Sequence, residues 1–218
     1  MAHYTLILGT KDWSSWSLRP YVAIRAVGAA FEEIMVPLRK GNSRDRIIQH
    51  SPAAKLPVLN IEDGGETITV WDSLAICETL AERHPDAKLW PDDANTRAVA
   101  RAYAAEMHSS FAALRSTLSM DFARRLPTPE LDDATKADIA RIIEAWTHAL
   151  KKHGEHGGFL FGRFSIADAM YAPVVSRFTT YGISVPGVVK TYMDRMMALP
   201  AMQDWGKASQ AEVDAGVA

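Results

Sequence analysis

Three serines, two tryptophans and an arginine fall within one short stretch, Trp13-Ser14-Ser15-Trp16-Ser17-Leu18-Arg19-Pro20. The apolar run Tyr4 to Gly9 before it reads as a strand. Tyr21 to Gly28 after it reads as a helix ending in glycine. Hydroxyls between a strand and a helix lie where backbone N–H groups point outward and negative charge is favoured. A thiolate bound there would be stabilised. The single cysteine, Cys77, offers a different chemistry, but it falls in Ser73 to Ala81, where Leu74, Cys77, Leu80 and Ala81 share one helical face. It reads as a small buried hydrophobe rather than a nucleophile, and alone it excludes an internal disulfide. The seven histidines show no metal-ligand spacing.

The elements that position these groups change character along the chain. After the first strand and helix, Phe31 to Pro37 reads as a second strand, and Gly41 to His50 is polar with a helical turn near Arg46 to Ile48. Pro57 to Ile61 and Thr67 to Trp71 read as two strands joined by the turn Glu62-Asp63-Gly64-Gly65-Glu66. A helix from Ser73 to near His84 closes this unit. The order β-α-β-α-β-β-α makes the first two strands parallel and the last two antiparallel, a mixed four-stranded sheet of thioredoxin-like arrangement. Asp86 to Asp93, polar and proline-containing, reads as a linker, and everything after it reads as helical. Helices are expected over Asn95 to about Arg124, Asp133 to Lys152, from Phe164 onward, Val188 to Leu199, and Ala201 to about Ala208. The predicted fold class is therefore an α/β thioredoxin-like N-terminal domain, 1–85, a linker, 86–94, and an all-α C-terminal domain, 95–218.

Composition bounds the function. Of 218 residues 48% are apolar, and 24 Lys and Arg face 26 Asp and Glu for a net charge of −2. Without a basic run this balance argues against a nucleic-acid partner. No apolar stretch is long enough to cross a bilayer. The first residues, Met1-Ala2-His3-Tyr4, lack a basic region followed by an apolar core, so no signal peptide is expected and a cytoplasmic location is.

Taken in order, five motifs resemble the soluble glutathione S-transferase superfamily, in its serine-type zeta and tau-like pattern. Ser14-Ser15-Trp16-Ser17-Leu18-Arg19 resembles its Ser-x-x-Ser-x-Arg turn, and Lys55-Leu56-Pro57-Val58-Leu59 its cis-proline segment. Asp72-Ser73 resembles the pair that holds the γ-glutamyl end of glutathione, Leu89-Trp90-Pro91 the start of the linker, and Ser165-Ile166-Ala167-Asp168 a buried capping box.

The resemblance implies a glutathione transferase that joins glutathione, as co-substrate and without a metal, to a small hydrophobic electrophile in a homodimer. Ser14 aligns with the catalytic serine, and Ser15 is the alternative donor. Ser17, three positions later, is expected to cap the helix. Leu56 beside Pro57 would pair with the cysteinyl backbone, and Asp72 and Ser73 would take the γ-glutamyl end. Lys40, Arg39 or Lys55 would meet the glycyl carboxylate. Trp13 and Trp16, with Met107, His108, Phe111 and Arg177 from the helical half, are candidates for the electrophile pocket. Two other readings stay open: a glutathione-dependent cis–trans isomerase of the maleylacetoacetate type, and a non-enzymatic interaction module. The isomerase turn usually reads Ser-Ser-Cys-Ser, where this chain carries Trp16, and its Gln-Ser pair stands here as Asp72-Ser73.

Overall fold

The computed structural model describes residues 2–218, the side chain of His156 excepted. Strand β1 (His3–Gly9) lies inside a four-stranded sheet of order β2-β1-β3-β4. Strand β2 (Phe31–Val36) runs parallel to β1, with Tyr4 opposite Phe31. Strand β3 (Val58–Asp63) is antiparallel to β1, with Leu6 opposite Leu59, and β4 (Glu66–Trp71) is antiparallel to β3. A parallel step needs a crossover, and helix α1 (Ser15–Val27) supplies it. The β3–β4 turn is shorter than the sequence predicts. Gly64 and Gly65, with φ of 61° and 87°, reverse the chain alone, since a two-residue hairpin turn of this kind takes left-handed backbone at both positions.

Short α2 (Ser43–Ile48) and α3 (Ser73–Arg83) complete the thioredoxin-like part; the helices α4 (Ala94–Ser109), α5 (Ala112–Thr117), α6 (Asp133–His153), α7 (Ile166–Thr180), α8 (Gly187–Met197) and α9 (Pro200–Asp214) follow. One continuous apolar core joins the two parts. It takes Leu6 and Leu59 from the sheet, Leu18 and Ile24 from α1, Ile76 from α3, and Trp146, Tyr171, Phe178 and Trp205 from the later helices. Ile7, Val36 and Val58 form a smaller cluster. Leu6 and Leu8 therefore point to one core and Ile7 to another, the period of two expected of a strand.

Helix α7 is buried along almost its whole length, as its nearly all-round apolar sequence demands. The Trp146 ring meets Tyr171, Phe178 and Tyr192 with centroids 5.4, 5.6 and 5.2 Å away. At its start Ser165 and Asp168 form a capping box. The Asp168 carboxylate accepts from Ser165 N (2.9 Å), Ser165 Oγ (2.9 Å) and Leu160 N (3.0 Å), so it fastens the preceding loop as well as the helix end. It is fully buried and structural.

Three helix expectations change. The predicted helix from Asn95 to Arg124 breaks after Ser109, because Phe111 adopts a left-handed φ of 62° and buries its ring. Residues beyond α5 are held by distant partners: Ala123 N donates to Asp12 Oδ1 (2.9 Å), Phe122 N to the Asp12 carbonyl (3.1 Å), and Leu126 N to the Thr180 carbonyl (2.9 Å). Helix α9 runs past Ala208 to Asp214, where Glu212 accepts from Lys11 N (2.6 Å) and Asp12 N (3.2 Å). Ser17 does not cap α1. The helix begins at Ser15, so Ser14 is the N-cap residue and Ser17 lies one turn inside.

Burial raises the Asp168 carboxyl from 3.8 to about 6 despite its donors. A carboxyl whose folded pKa is raised adds stability that is full below pH ~4 and lost as pH climbs through 6, here about 3 kcal/mol. Denaturant unfolding at pH 4 and 7 should therefore show a pH dependence that Asp168→Asn removes. Ser165→Ala should cost about 1 kcal/mol at both.

Candidate active site

The chain leaves β1 at Gly9 and enters α1 within six residues. Ser14 and Ser15 are both buried at the start of α1, each 7% exposed. Gly9 is required here by close approach. A Cβ at this position would stand 2.7 Å from Leu38 Cδ1 and 3.0 Å from Ser14 Oγ. The Ser14 hydroxyl donates to Ser17 Oγ (2.7 Å), which also accepts from Gly9 N (3.1 Å). Ser15 Oγ makes no hydrogen bond among the described residues. Of the paired hydroxyls, Ser14 is thus committed internally and Ser15 is free.

A cavity of about 580 Å³ opens beside this turn. Trp16 of α1 forms one wall. Lys55, Leu56 and Pro57, on the segment entering β3, form a second, and the Leu56–Pro57 peptide bond is cis. Trp71, Asp72 and Ser73, between β4 and α3, form a third, and His108 of α4 closes the cavity from the helical half. Asp72 is the N-cap of α3: its Oδ1 accepts from Leu74 N (2.8 Å) and Ala75 N (3.4 Å). Its φ of 77° is unusual for a residue with a side chain and typical of functional sites. Asp72 Oδ2 lies 3.4 Å from His108 Nε2, a link between the two halves.

The sequence-derived site residues separate here. Trp16, Lys55, Leu56, Pro57, Asp72, Ser73 and His108 share the cavity. Ser14 and Ser15 lie beneath it at the helix start, outside its lining. Lys40 and Arg39 are exposed and also outside it; Arg39 stacks on Trp13 with its guanidinium 4.1 Å from the ring centroid. Met107 and Phe111 are core residues, the ordinary fate of an apolar helical stripe. Arg177 is buried, and its Nε donates to the Leu118 carbonyl (2.7 Å). Burial pushes the Cys77 thiol up to about 12, so it is no nucleophile at neutral pH. Among the described residues no three His, Cys, Asp or Glu side chains gather as a metal site would require.

Sequence reasoning passed over Trp71 and Arg115. Trp71 ends a strand and is 46% exposed, which its period-two pattern could have flagged as an outward aromatic. Arg115 stands on the short helix beyond the unforeseen break at Phe111, and nothing local marks it. Its guanidinium lies over the Trp16 ring, 4.6 Å from the centroid.

Residues 13–83 match the family model described as glutathione S-transferase, N-terminal domain, and residues 128–207 match glutathione S-transferase, C-terminal domain. The chain belongs to the glutathione S-transferase family. It is similar to a probable maleylacetoacetate isomerase of Caenorhabditis elegans, 29% identical over 162 residues, spanning 74% of this chain and 72% of that one. A glutathione transferase homolog from Burkholderia GL BGR1, solved with bound glutathione, superposes with a TM-score of 0.73 at 25% identity, over 96% of this chain and 99% of that one. A maleylacetoacetate isomerase from Anaeromyxobacter dehalogenans 2CP-1, with bound glutathione in its active site, gives 0.68 at 25% identity, over 94% and 96%. The chain is thus a glutathione S-transferase by family, fold and enzyme class.

The capping geometry of Asp72 makes a prediction independent of any ligand. Asp72→Ala should lower stability by about 1 kcal/mol in urea unfolding, whereas Asp72→Asn, which keeps an oxygen for the cap, should cost much less.

Proposed function

We propose that glutathione binds along this cavity with its sulfur at the start of α1, and that its thiolate attacks a small electrophile entering between the two halves. The observation that carries the reading is that Trp16, Leu56–Pro57 and Asp72–Ser73 line one cavity, with the Ser14–Ser15 turn directly before Trp16 in the chain. The α3 N-terminus receives the γ-glutamyl carboxylate, with Asp72 Oδ2 toward the α-amino group. Leu56 pairs through its backbone with the cysteinyl residue in the manner of an added strand. Lys55, the cation of the cavity wall, is better placed for the glycyl carboxylate than Lys40 or Arg39.

The energetics need no metal and no general base. A thiol of pKa ~8.5 lowered by two units requires about 2.7 kcal/mol of selective anion stabilisation. One hydrogen bond to a charged acceptor supplies about 1.5–3 kcal/mol, and a helix N-terminus adds about 0.3–1 kcal/mol. A serine hydroxyl suffices. Ser14 can donate to sulfur only by leaving Ser17, whereas Ser15 gives up no bond. In the same reading the protein is a cytoplasmic detoxification enzyme and a homodimer, divided into residues 1–85 and 95–218 by the linker 86–94. The buried, unpaired Cys77 suits a reducing compartment.

The resemblance to maleylacetoacetate isomerases supports a second reading, in which the same thiolate adds reversibly to a cis double bond, permits rotation and leaves.

Titrating the ultraviolet absorbance of the glutathione thiolate in the presence of the protein should give a pKa well below that of the free thiol. Ser14→Ala and Ser15→Ala tested separately should show the loss in the variant that lacks the donor. Full thiolate in both would end the serine mechanism. Asp72→Asn should weaken glutathione binding roughly tenfold or more by calorimetry, because a charge-assisted bond becomes a neutral one.

A further inference from the structure

Lys11 and Asp12, in the turn between β1 and α1, give every backbone polar group to the helical half. Glu212 of α9 accepts from Lys11 N (2.6 Å) and Asp12 N (3.2 Å). Trp205 of α9 donates its Nε1 to the Lys11 carbonyl (2.9 Å), and Phe122 N donates to the Asp12 carbonyl (3.1 Å). The Asp12 side chain continues the pattern: its Oδ1 accepts from Ser209 Oγ of α9 (2.8 Å) and from Ala123 N (2.9 Å). The thioredoxin-like part reaches the same turn through Leu38 N, which donates to Thr10 Oγ1 (2.9 Å), and through Glu33 of β2, which pairs with Lys11 Nζ.

Two carboxylates are withdrawn from water to make these contacts. Asp12 is fully buried, and its Oδ2 has no partner among the described residues. Glu212 is half-buried; burial raises its carboxyl above the ordinary range, and the Asp12 and Lys11 N–H groups oppose that rise. Such placements are costly, and apolar residues of similar size commonly stabilise a core as well or better. What the carboxylates secure is the position of a backbone. The Thr10 carbonyl accepts from Trp13 N (3.2 Å) and Ser14 N (2.8 Å), so a shift of Lys11 and Asp12 passes to Ser14 within one turn. Packing holds α1 from Ser15 onward, but Ser14 is its N-cap and takes its place from the residues before it.

We infer that Glu212 and Asp12 are positioning residues for thiol activation: through them α9 holds the β1–α1 turn so that the serine donor and the α1 N-terminus face the glutathione sulfur. Neither side chain lines the cavity, so both act through the turn rather than on the ligand. A displacement of about 1 Å in a reacting or donating group can cost about 100-fold in rate, so the hold on this turn sets how strongly the thiolate is stabilised. The role exists only if the sulfur lies at the start of α1, as proposed above.

Two measurements on the full chain test it. Glu212→Ala should speed amide hydrogen exchange at Lys11 and Asp12 at least roughly tenfold in the free protein and leave the α7 amides unchanged. It should also raise the thiol pKa of bound glutathione, read from ultraviolet absorbance, so that roughly tenfold less thiolate is present below that pKa. Glu212→Gln keeps an acceptor oxygen for the two N–H groups and should retain most of both properties. Ser165→Ala, weakened at α7 away from the turn, should keep the wild-type thiol pKa, which separates positioning from lost stability. If Glu212→Ala melts below the assay temperature, Ser209→Ala, which removes one bond to Asp12 Oδ1, should move both readouts in the same direction. Unchanged exchange in these variants overturns the inference, and so does faster exchange with an unchanged thiol pKa. A wild type that leaves the glutathione thiol at its free pKa would instead end the glutathione reading, and the activating role of Glu212 with it.

Discussion

Helix α1 is packed from both sides, and the site depends on that. From Ser15 to Ile24 almost every residue is buried, because the helix lies against α3 in one half and α7 in the other. A helix fixed in this way cannot shift its first turn without disturbing the core shared by Leu18, Ile24, Ile76 and Tyr171. Its N-terminus is therefore a rigid place for orienting a charge. Electrostatic stabilisation is strongest where dipoles need not reorganise, and a buried helix start meets that condition better than a loop.

The second wall is built on a different principle. Asp72 occupies backbone space that residues with side chains seldom use, and the α3 cap holds it there. One oxygen serves the helix and the other faces His108 across the cleft. A single carboxylate thus does structural and interfacial duty, so its substitutions need to be separated by geometry as well as by charge. Asp168 in α7 is the contrasting case. It uses the same residue type in a capping box, sealed in the core, where it fastens a loop and does not line the cavity beside α1.

The charges around Trp16 distinguish this cleft from a plain hydrophobic pocket. Arg19 and Arg177 arrive from α1 and α7, which pack against each other, and Arg115 from the short helix that follows the break at Phe111. Without that break α4 would run on, and Arg115 would be carried elsewhere. A left-handed residue in the middle of an expected helix is a local cost, and here it has a positional consequence.

What the chain declared by itself was local or ordered along the sequence. The mixed sheet followed from strand periodicity and from connection lengths, since a helical crossover forces parallel pairing and a Gly-Gly turn forces antiparallel pairing. The serine turn and the Ser165–Asp168 box were legible as short local patterns, whereas Leu56–Pro57 and Asp72–Ser73 took their meaning from the order of motifs shared with one family, since a proline at a strand start and an acid before a helix are common on their own. The tertiary structure decided what depends on distant partners. It extended α9 through Glu212, which meets Lys11 and Asp12, and ended α4 at Ser109, where Phe111 turns into the core. It gave the Ser14 proton to Ser17 while leaving Ser15 free. It placed Lys55, rather than Lys40, on the cavity wall, and set Arg19 and Arg115 over the Trp16 ring from two helices. Periodicity shows which face of an element is buried, but only packing settles which neighbour that face meets, because the partners come from remote parts of the chain.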